Sequence, residues 1–204
     1  MDSNILSEKV VTLDMNTNIW DQFFTIAPLV VIGTKEDKHY NLAPKHMATP
    51  LGFQNYFGFV CTPKHSTYHN VKFEKSFTVS FPKPDQVVLS SLASLPRCEE
   101  GGWEKEVLEH IPISWGSKVN APMLKDSYLY FECELDRVID GFGEHSLISG
   151  KIVAAHLDEN YLRSSEKDEQ FMIYNNPMLA FLAHGRFAAI KDSYNFPYTK
   201  GFKK

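Results

Sequence analysis

Apolar residues recur along the chain in short runs separated by turn-forming residues, the pattern of a protein built mainly from β-strands. Runs rich in β-branched and aromatic side chains predict strands at residues 28–34, 40–48, 56–62, 77–81, 128–139 and 146–157. Shorter apolar runs follow at residues 171–173, 179–182 and 187–190. In residues 77–81, Phe and Val alternate with Thr and Ser, which is typical of a half-buried strand.

Helical spacing is confined to short segments. Helices are predicted at residues 16–24, 66–74, 85–95 and 103–110. Ser66 or Thr67 is expected to start the second helix, and Asp85 to cap the third. Strands do not alternate with helices, and no Gly-x-Gly-x-x-Gly or Walker pattern is present. The chain is therefore predicted to be an antiparallel barrel with helical decoration rather than a Rossmann sheet.

Two segments depart from the strand pattern. Residues 97–120 begin with a polar, glycine-punctuated stretch and are expected to leave the barrel. They form either a lid over a site or a surface connection without a role, and both interpretations remain open. Residues 191–204 form an aromatic and basic tail. There is no internal repeat, so residues 1–204 are predicted to be a single domain.

Composition narrows the class of protein. The chain has 204 residues and a net charge of −4, which argues against a broad nucleic-acid-binding surface. No apolar run could cross a membrane, and the first residues lack the pattern of a secretory signal. Cys61, Cys98 and Cys133 have no metal-site or redox-pair spacing, which indicates reduced thiols in a cytoplasmic protein. Cys61 follows an apolar run and is expected to be a buried, inert thiol.

The candidate chemistry is concentrated in residues 41–70. This stretch contains Lys45 and Lys64, and it places hydroxyl groups where a strand passes into a predicted helix. The first amides of a helix, together with the hydroxyls of Ser66 and Thr67, suit a phosphate group, to which a lysine could add a charge-assisted contact. The residues by themselves leave a plainer alternative open, in which Ser66 or Thr67 only caps the helix.

Five motifs in the same order resemble the flavin reductase-like family of FMN-binding split-barrel proteins, over roughly residues 20–190. The family patterns are Asn-x-x-Pro-x-Ser, Thr-x-x-Asn, Phe-x-Val-Asn, His-x-x-x-x-Gly-x-Val and Pro…Gly-Arg-Tyr. Their counterparts lie at residues 41–46, 67–70, 77–80, 145–153 and 177–187. The resemblance implies a mainly β fold, an antiparallel Greek-key split β-barrel with a few short helices, that binds FMN.

The resemblance also implies which residues contact the cofactor. The flavin ring would pack against residues 43–47 and 61–62, and the phosphate would lie near Ser66, Thr67 and Asn70. The implied cofactor-binding residues are Asn41, Ala43, Pro44, Lys45, His46, Met47, Cys61, Thr62, Ser66, Thr67, Asn70, Ser80 and Arg186.

Three positions depart from the family pattern. His46 stands where serine is common, Ser80 replaces asparagine, and Phe187 replaces tyrosine. An imidazole thus takes the place of a hydroxyl near the flavin, and a phenol is lost. These departures bear on the choice of substrate more than on flavin binding.

The resemblance implies an FMN-dependent oxidoreductase, most simply a flavin reductase that passes hydride from NADH or NADPH to flavin. His145 is the candidate catalytic residue, lining the face where the nicotinamide stacks, and an exposed histidine beside a turn is the open alternative. A homodimer with each flavin site near the subunit interface is also implied. Two other functions stay open: reduction of another small-molecule acceptor, and flavin binding without turnover by a carrier or sensor.

Two clusters of polar residues are weaker candidates. His65 and His69 have a metal-ligand spacing, but no carboxylate or cysteine completes a set, so no metal site is expected. Glu132, Glu134 and Asp136 alternate along a predicted strand. An outward, solvated face is expected there rather than a set of catalytic carboxylates.

Overall fold

The computed structural model describes residues 9–95, 105–183 and 185–201. Within them the strands are β1 (Ile26–Pro28), β2 (Val30–Glu36), β3 (His39–Lys45), β4 (Ala48–Pro50), β5 (Tyr56–Cys61), β6 (Ser76–Phe81), β7 (Ile113–Trp115), β8 (Pro122–Leu124), β9 (Leu129–Phe142), β10 (His145–Leu157), β11 (Met178–Leu182) and β12 (Arg186–Ile190). The α-helices are α1 (Ser66–Glu74), α2 (Val87–Leu92) and α3 (Glu169–Asn175), and 3₁₀ turns occur at Pro84–Gln86, Glu106–His110 and Glu159–Tyr161.

Seven strands form one antiparallel sheet in the order β3-β2-β6-β9-β10-β5-β4. This sheet curls into a half-barrel, and a three-stranded sheet (β1-β11-β12) and a hairpin (β7-β8) complete the strand content of the described residues. The chain turns from β2 into β3 at Asp37, whose φ of 48° is the left-handed conformation that a tight hairpin requires. The predicted fold class, a mainly β split barrel with a few short helices, is confirmed.

The concave side of the large sheet holds the main hydrophobic core. Phe57, Phe59, Phe77 and Val79 are almost fully buried there, and the rings of Phe59 and Phe77 meet edge to face with centroids 5.2 Å apart. Gly150 on β10 lies directly under the Phe77 ring. A Cβ added at this position would come within 2.5 Å of that ring. The close approach of ring and backbone explains why this strand carries a glycine at its centre.

The opposite side of the sheet is covered as well. Val31, Leu42, Leu108 and Leu124 form a second buried cluster, which joins β2 and β3 to the segment after residue 105. This covering corrects the expectation that β6 is half-buried, because its polar positions are also enclosed. Thr78 donates a hydrogen bond to the carbonyl of Pro122, and Ser80, the next residue on the same face of β6, is equally buried.

Other sequence predictions need adjustment. Residues 16–24 form turns rather than a helix. The helix predicted at residues 85–95 begins as a 3₁₀ turn, and the Asp85 side chain does not cap it; the Lys83 amide instead donates to Gln86 Oε1 at 3.1 Å. In the segment predicted to leave the barrel, residues 97–120, a 3₁₀ turn replaces the later part of the expected helix. Residues 97–104 of that segment lie outside the described residues.

Glu132 overturns the expectation of a solvated carboxylate face on β9. Glu134 and Asp136 are exposed as predicted, but the Glu132 side chain is fully buried under the β7–β8 connection. Its carboxylate accepts hydrogen bonds from the amides at residues 117–119, at 2.6–3.0 Å, and from Nε2 of His156 at 2.8 Å. Burial would raise the pKa of Glu132, but these hydrogen bonds lower it to about 2.

Candidate flavin site

Strand β3 is an edge strand, and a cavity of about 400 Å³ lies along it. The start of α1 and the residues just after α2 form the other walls. Six residues predicted to contact the cofactor line this cavity: Asn41, Ala43, Pro44, Lys45, Ser66 and Thr67. The strand and the helix therefore bring these predicted residues together, as the resemblance implied.

The cavity is lined by three lysines, and we refer to it as the lysine cavity. Lys45 comes from β3, Lys64 from the turn before α1, and Lys105 from the segment after the undescribed residues. The Lys105 amine donates to the carbonyls of Leu42 at 3.4 Å and Ala93 at 3.1 Å. No acidic residue of the described chain lines the cavity, so its charge is positive.

Helix α1 begins at Ser66, as predicted, but neither Ser66 nor Thr67 caps it. His65 occupies the N-cap position, and no side chain of a described residue caps the helix. Thr67 Oγ1 instead accepts a hydrogen bond from Asn41 Nδ2 at 3.1 Å, which fixes the Thr67 side chain against β3. The first amides of α1 thus lack the side-chain acceptor that usually satisfies them, an arrangement that suits an anion.

Asn41 is a second sign that the lysine cavity is built for a ligand. The residue is only 3% exposed, and its Oδ1 atom has no hydrogen-bond partner among the described residues. Buried polar atoms are rarely left unsatisfied, because losing contact with water costs about 1–3 kcal/mol. An unsatisfied acceptor in a cavity wall fits a site completed by a bound donor.

The lysines also influence the titration of two neighbours. The pKa of His65 is lowered, first by burial and then by the positive charges of Lys45 and Lys105. Burial raises the pKa of Cys61, and the nearby Lys45 amine only partly opposes this. The thiol therefore remains protonated near neutral pH, consistent with the expectation of an inert cysteine.

A second cavity, of about 420 Å³, adjoins the first. The two cavities share Pro44 and Ser94, while Arg186 lines only the second, so we refer to it as the arginine cavity. His46 also lies there, with its ring stacked on Phe181 at a centroid distance of 4.6 Å. The predicted residues Pro44, His46 and Arg186 are therefore brought together here. Pro44 lines both cavities, whereas His46 and Arg186 lie beside the phosphate-type site rather than in it.

Five predicted cofactor-binding residues line neither cavity. Met47 is half-exposed and Cys61 lies in the barrel core. Thr62 Oγ1 accepts a hydrogen bond from the amide of Lys64 at 3.3 Å. Asn70 Nδ2 donates to Thr34 Oγ1 at 3.1 Å, which ties α1 to β2.

Ser80 is the clearest departure. Its Oγ atom accepts the amide of Leu124 at 3.0 Å beneath β8, on the face of the sheet opposite the barrel core. The covering hairpin therefore encloses the hydroxyl predicted to reach the flavin. In the structure, Ser80 ties β8 to β6 and does not reach either cavity.

His145, the predicted catalytic residue, is exposed at the start of β10. It follows Glu144, whose carboxylate pairs with Lys64 Nζ at 2.9 Å. The hairpin tip is therefore close to the mouth of the lysine cavity, which leaves both interpretations of His145 open.

Sequence reasoning did not find Lys105, Ala93 or Ser94. No motif marks them, and they reach the site only because α2 and residues 105–111 cover the outer side of β3. A lysine just beyond a polar segment carries no signal that distinguishes it from a solvated one.

Metal and membrane features are limited within the described ranges. Nε2 of His69 lies 2.7 Å from the carbonyl oxygen of Pro63, and no cluster of three or more metal-ligating side chains occurs among residues 9–95, 105–183 and 185–201. In the same ranges, no helix has both the length and the apolar character needed to span a bilayer.

The family assignment comes from a match to the description "Flavin reductase like domain" over residues 24–185. That region contains both cavities except for Arg186 and Phe187 at its end. The chain belongs to the flavin reductase-like family. No curated protein sequence matches the chain.

Solved structures agree with this assignment at the level of the fold. Flavoredoxin from Methanosarcina acetivorans is 19% identical, with a TM-score of 0.71 and coverage of 95% of this chain and 97% of that one. The 2-nitrobenzoate 2-nitroreductase from Pseudomonas fluorescens is 15% identical, with a TM-score of 0.78 and coverage of 95% of this chain and 99% of that one. An FMN-binding protein from Thermus thermophilus, solved with bound 1-cyclohex-2-enone, is 20% identical, with a TM-score of 0.71 and coverage of 93% and 99% of the two chains in the same order.

The family and its fold together support a flavin-using oxidoreductase of the flavin reductase type. The lysine cavity fits this assignment, because a flavin nucleotide carries its negative charge on phosphate. The arginine cavity adds a less charged compartment beside it.

Proposed function

We propose that this protein binds FMN and transfers hydride from NADH or NADPH, most simply as an NAD(P)H:flavin reductase. The observation that carries the proposal is the lysine cavity at the uncapped start of α1. Flavin binding of this kind is also supported by the name of the Thermus thermophilus relative, an FMN-binding protein.

The charge of the lysine cavity matches a terminal phosphate. Lys45, Lys64 and Lys105 line it, no acidic residue of the described chain lines it, and Lys64 forms an ion pair with the exposed Glu144 at the cavity mouth. Lysine amines bind phosphate as mobile point charges, while the helix amides supply directed donors. Riboflavin, which lacks the phosphate, would bring no anion to this positively charged cavity. FMN therefore fits the donor set better than the uncharged vitamin.

The residues divide into two roles. Ser66, the α1 amides and the lysines would hold the phosphate, and Asn41 orients Thr67 and offers its free Oδ1 to the ligand. Pro44 lines both cavities, and the chain passes from one cavity to the other there. Pro44 and the residues that follow it would lie along the flavin ring. Bound FMN supplies the chemistry of hydride acceptance. The protein excludes water and fixes the position of the ring.

We also propose that the protein acts as a homodimer. Several large apolar side chains are more than half exposed in the single chain, including Trp20, Phe24, Phe171, Phe187 and Phe196. So much exposed aromatic surface is typical of a subunit interface. Sedimentation velocity should therefore give about twice the monomer mass of 23.3 kDa, and a monomer at micromolar concentration would contradict this part of the proposal.

The decisive experiment starts with the absorption spectrum of the purified protein, before and after FMN is added. Oxidation of NADH or NADPH is then followed at 340 nm. Turnover that rises with free flavin supports the flavin reductase, and turnover only with another acceptor supports an FMN-dependent reductase of that acceptor. Bound FMN that neither nicotinamide reduces would indicate a carrier or sensor. A protein that does not bind FMN would refute all three.

A further inference from the structure

We propose that the arginine cavity is a binding site for a small aromatic carboxylate, separate from the site of the flavin phosphate. Its position beside a flavin rests on the proposed function, but its ability to bind the acid does not. The proposal depends on the charge, the wall chemistry and one buried hydroxyl of this cavity.

Arg186 gives the arginine cavity one cation. Its side chain forms no ion pair or hydrogen bond with another described residue. No acidic residue of the described chain lines the cavity either. A planar guanidinium presents two parallel N–H groups to a carboxylate, whereas the amines of the lysine cavity act as point charges suited to phosphate. The two adjoining cavities therefore select different anions.

The remaining walls are largely apolar. Leu29, Val87, Phe181 and Phe187 line the cavity, and the stacked ring of His46 extends the apolar wall. A volume of about 420 Å³ lies in the range of small-molecule sites. Apolar walls with one guanidinium fit a ligand that has an aromatic ring and a single carboxylate.

Ser90 supplies an independent observation. The residue lies in the wall of the arginine cavity, is 1% exposed, and its Oγ atom has no hydrogen-bond partner in the described part of the chain. A hydroxyl can rotate to donate or accept. A ligand oxygen in the cavity would give this hydroxyl the partner that the protein does not provide.

The binding test uses benzoate as the probe and isothermal titration calorimetry as the measurement, on the protein with and without FMN. Benzoate should bind saturably in both cases. Neutral benzamide, which has nearly the same shape, should bind at least about tenfold more weakly, because it lacks the charge that pairs with Arg186. Acetate should also bind weakly, because it lacks the ring.

Variants locate the site. Arg186→Met should weaken benzoate binding at least about tenfold, Arg186→Lys should weaken it less, and Ser90→Ala should weaken it about two- to tenfold. The matched control is Arg163→Met, which removes an exposed arginine paired with Glu169 and should leave benzoate binding unchanged. Far-UV circular dichroism checks that each variant folds.

Three results would overturn the proposal: no saturable binding of benzoate, equal binding of benzamide, or benzoate that competes with FMN. Competition would mean that Arg186 belongs to the flavin site. A protein that binds benzoate but not FMN would refute the proposed function and leave this inference standing.

Discussion

Two places in this protein gather backbone amides toward an anion, and they differ in where the anion comes from. At residues 117–119, three amides converge on Glu132, and His156 completes the set. At the start of α1, the amides and lysines face a cavity into which no acidic side chain of the described chain projects. The protein supplies its own anion at the first place and leaves the second for a ligand.

The contrast separates structural from functional use of the same chemistry. Gly116 shows how tightly the first place is closed, because an added Cβ would lie 2.5 Å from the Val119 carbonyl oxygen and 2.7 Å from Glu132 Oε2. The second place remains open and about 400 Å³ in volume. A satisfied anion site stabilises the fold, and an unsatisfied one indicates binding.

Replacing Glu132 should have the largest effect. In Glu132→Gln the side-chain NH₂ would face backbone amides, leaving buried donors without acceptors. We expect the free energy of unfolding to fall by about 3 kcal/mol, measured by urea denaturation at pH 7. FMN affinity of the folded variant should match that of the unchanged protein. If Glu132→Gln instead lowered FMN affinity and left the free energy of unfolding unchanged, the Glu132 site and the start of α1 would not have separate roles.

The pH dependence of stability should reveal the same carboxylate. Its pKa is about 2 in the folded protein against an ordinary value of 4.5, so its contribution is present above pH 4.5 and is lost as the pH falls toward 2. The difference in stability between the unchanged protein and Glu132→Gln should therefore narrow below pH 4.5. Urea midpoints at pH 7, 5 and 4 test this; a constant difference would contradict the lowered pKa.

Replacing Lys45 should weaken FMN binding without unfolding the protein. Lys45→Met removes a charge from the lysine cavity, and we expect the Kd for FMN to rise about 10- to 30-fold by fluorescence titration. Riboflavin affinity should change less than about twofold, because the lost contact is to phosphate. Lys38→Met is the matched control, because Lys38 is exposed in the turn before β3, at the end of that strand away from Lys45. Equal losses for both flavins would place the phosphate elsewhere.

Lys105 should matter less, because it also serves the fold. In Lys105→Met the hydrogen bonds to the carbonyls of Leu42 and Ala93 are lost along with the charge. We expect the Kd for FMN to rise about three- to tenfold. Lys105→Arg keeps the charge and should restore most of the affinity. Failure of arginine to restore it, with a normal melting temperature, would argue that the amine acts by its position alone.

The smallest effect should come from Glu144. Its pairing with Lys64 is exposed, so Glu144→Gln should release that lysine and strengthen FMN binding by less than about threefold. The gain should disappear in high salt, because exposed charges are screened. Weaker FMN binding in this variant would instead indicate that the ion pair positions Lys64 for the ligand.

Much of the fold could be predicted from local pattern. The bounds of α1 match the predicted residues 66–74, and β6 lies where alternating Phe and Val placed a strand. The burial of Thr78 could not be predicted, because it results from a hairpin that follows more than 30 residues later and covers the sheet. Glu132 was misjudged for the same reason: alternation along a strand does not show what packs on its polar face.

The site shows a similar division. Residues 41–46 and 66–67 carry local motifs, and most of them line one of the two cavities. Ser80 matched a motif but its hydroxyl is used inside the fold. Lys105 and Ser90 matched none, because long-range packing alone brings them to the cavities. Spacing can indicate a binding loop, but not the residues that other segments bring to it.

The Lys105 contact has a further consequence for self-association. The large sheet ends at β3 on one side and at β4 on the other, and exposed strand edges invite pairing with another chain. Lys105 occupies the Leu42 carbonyl on the outer edge of β3, and Pro44, two residues on, offers no N–H on that side. Strand β4 is three residues long and ends in Pro50. Neither edge of this sheet suits strand-to-strand growth, so a dimer should join through side-chain surfaces, and the protein should resist edge-on aggregation.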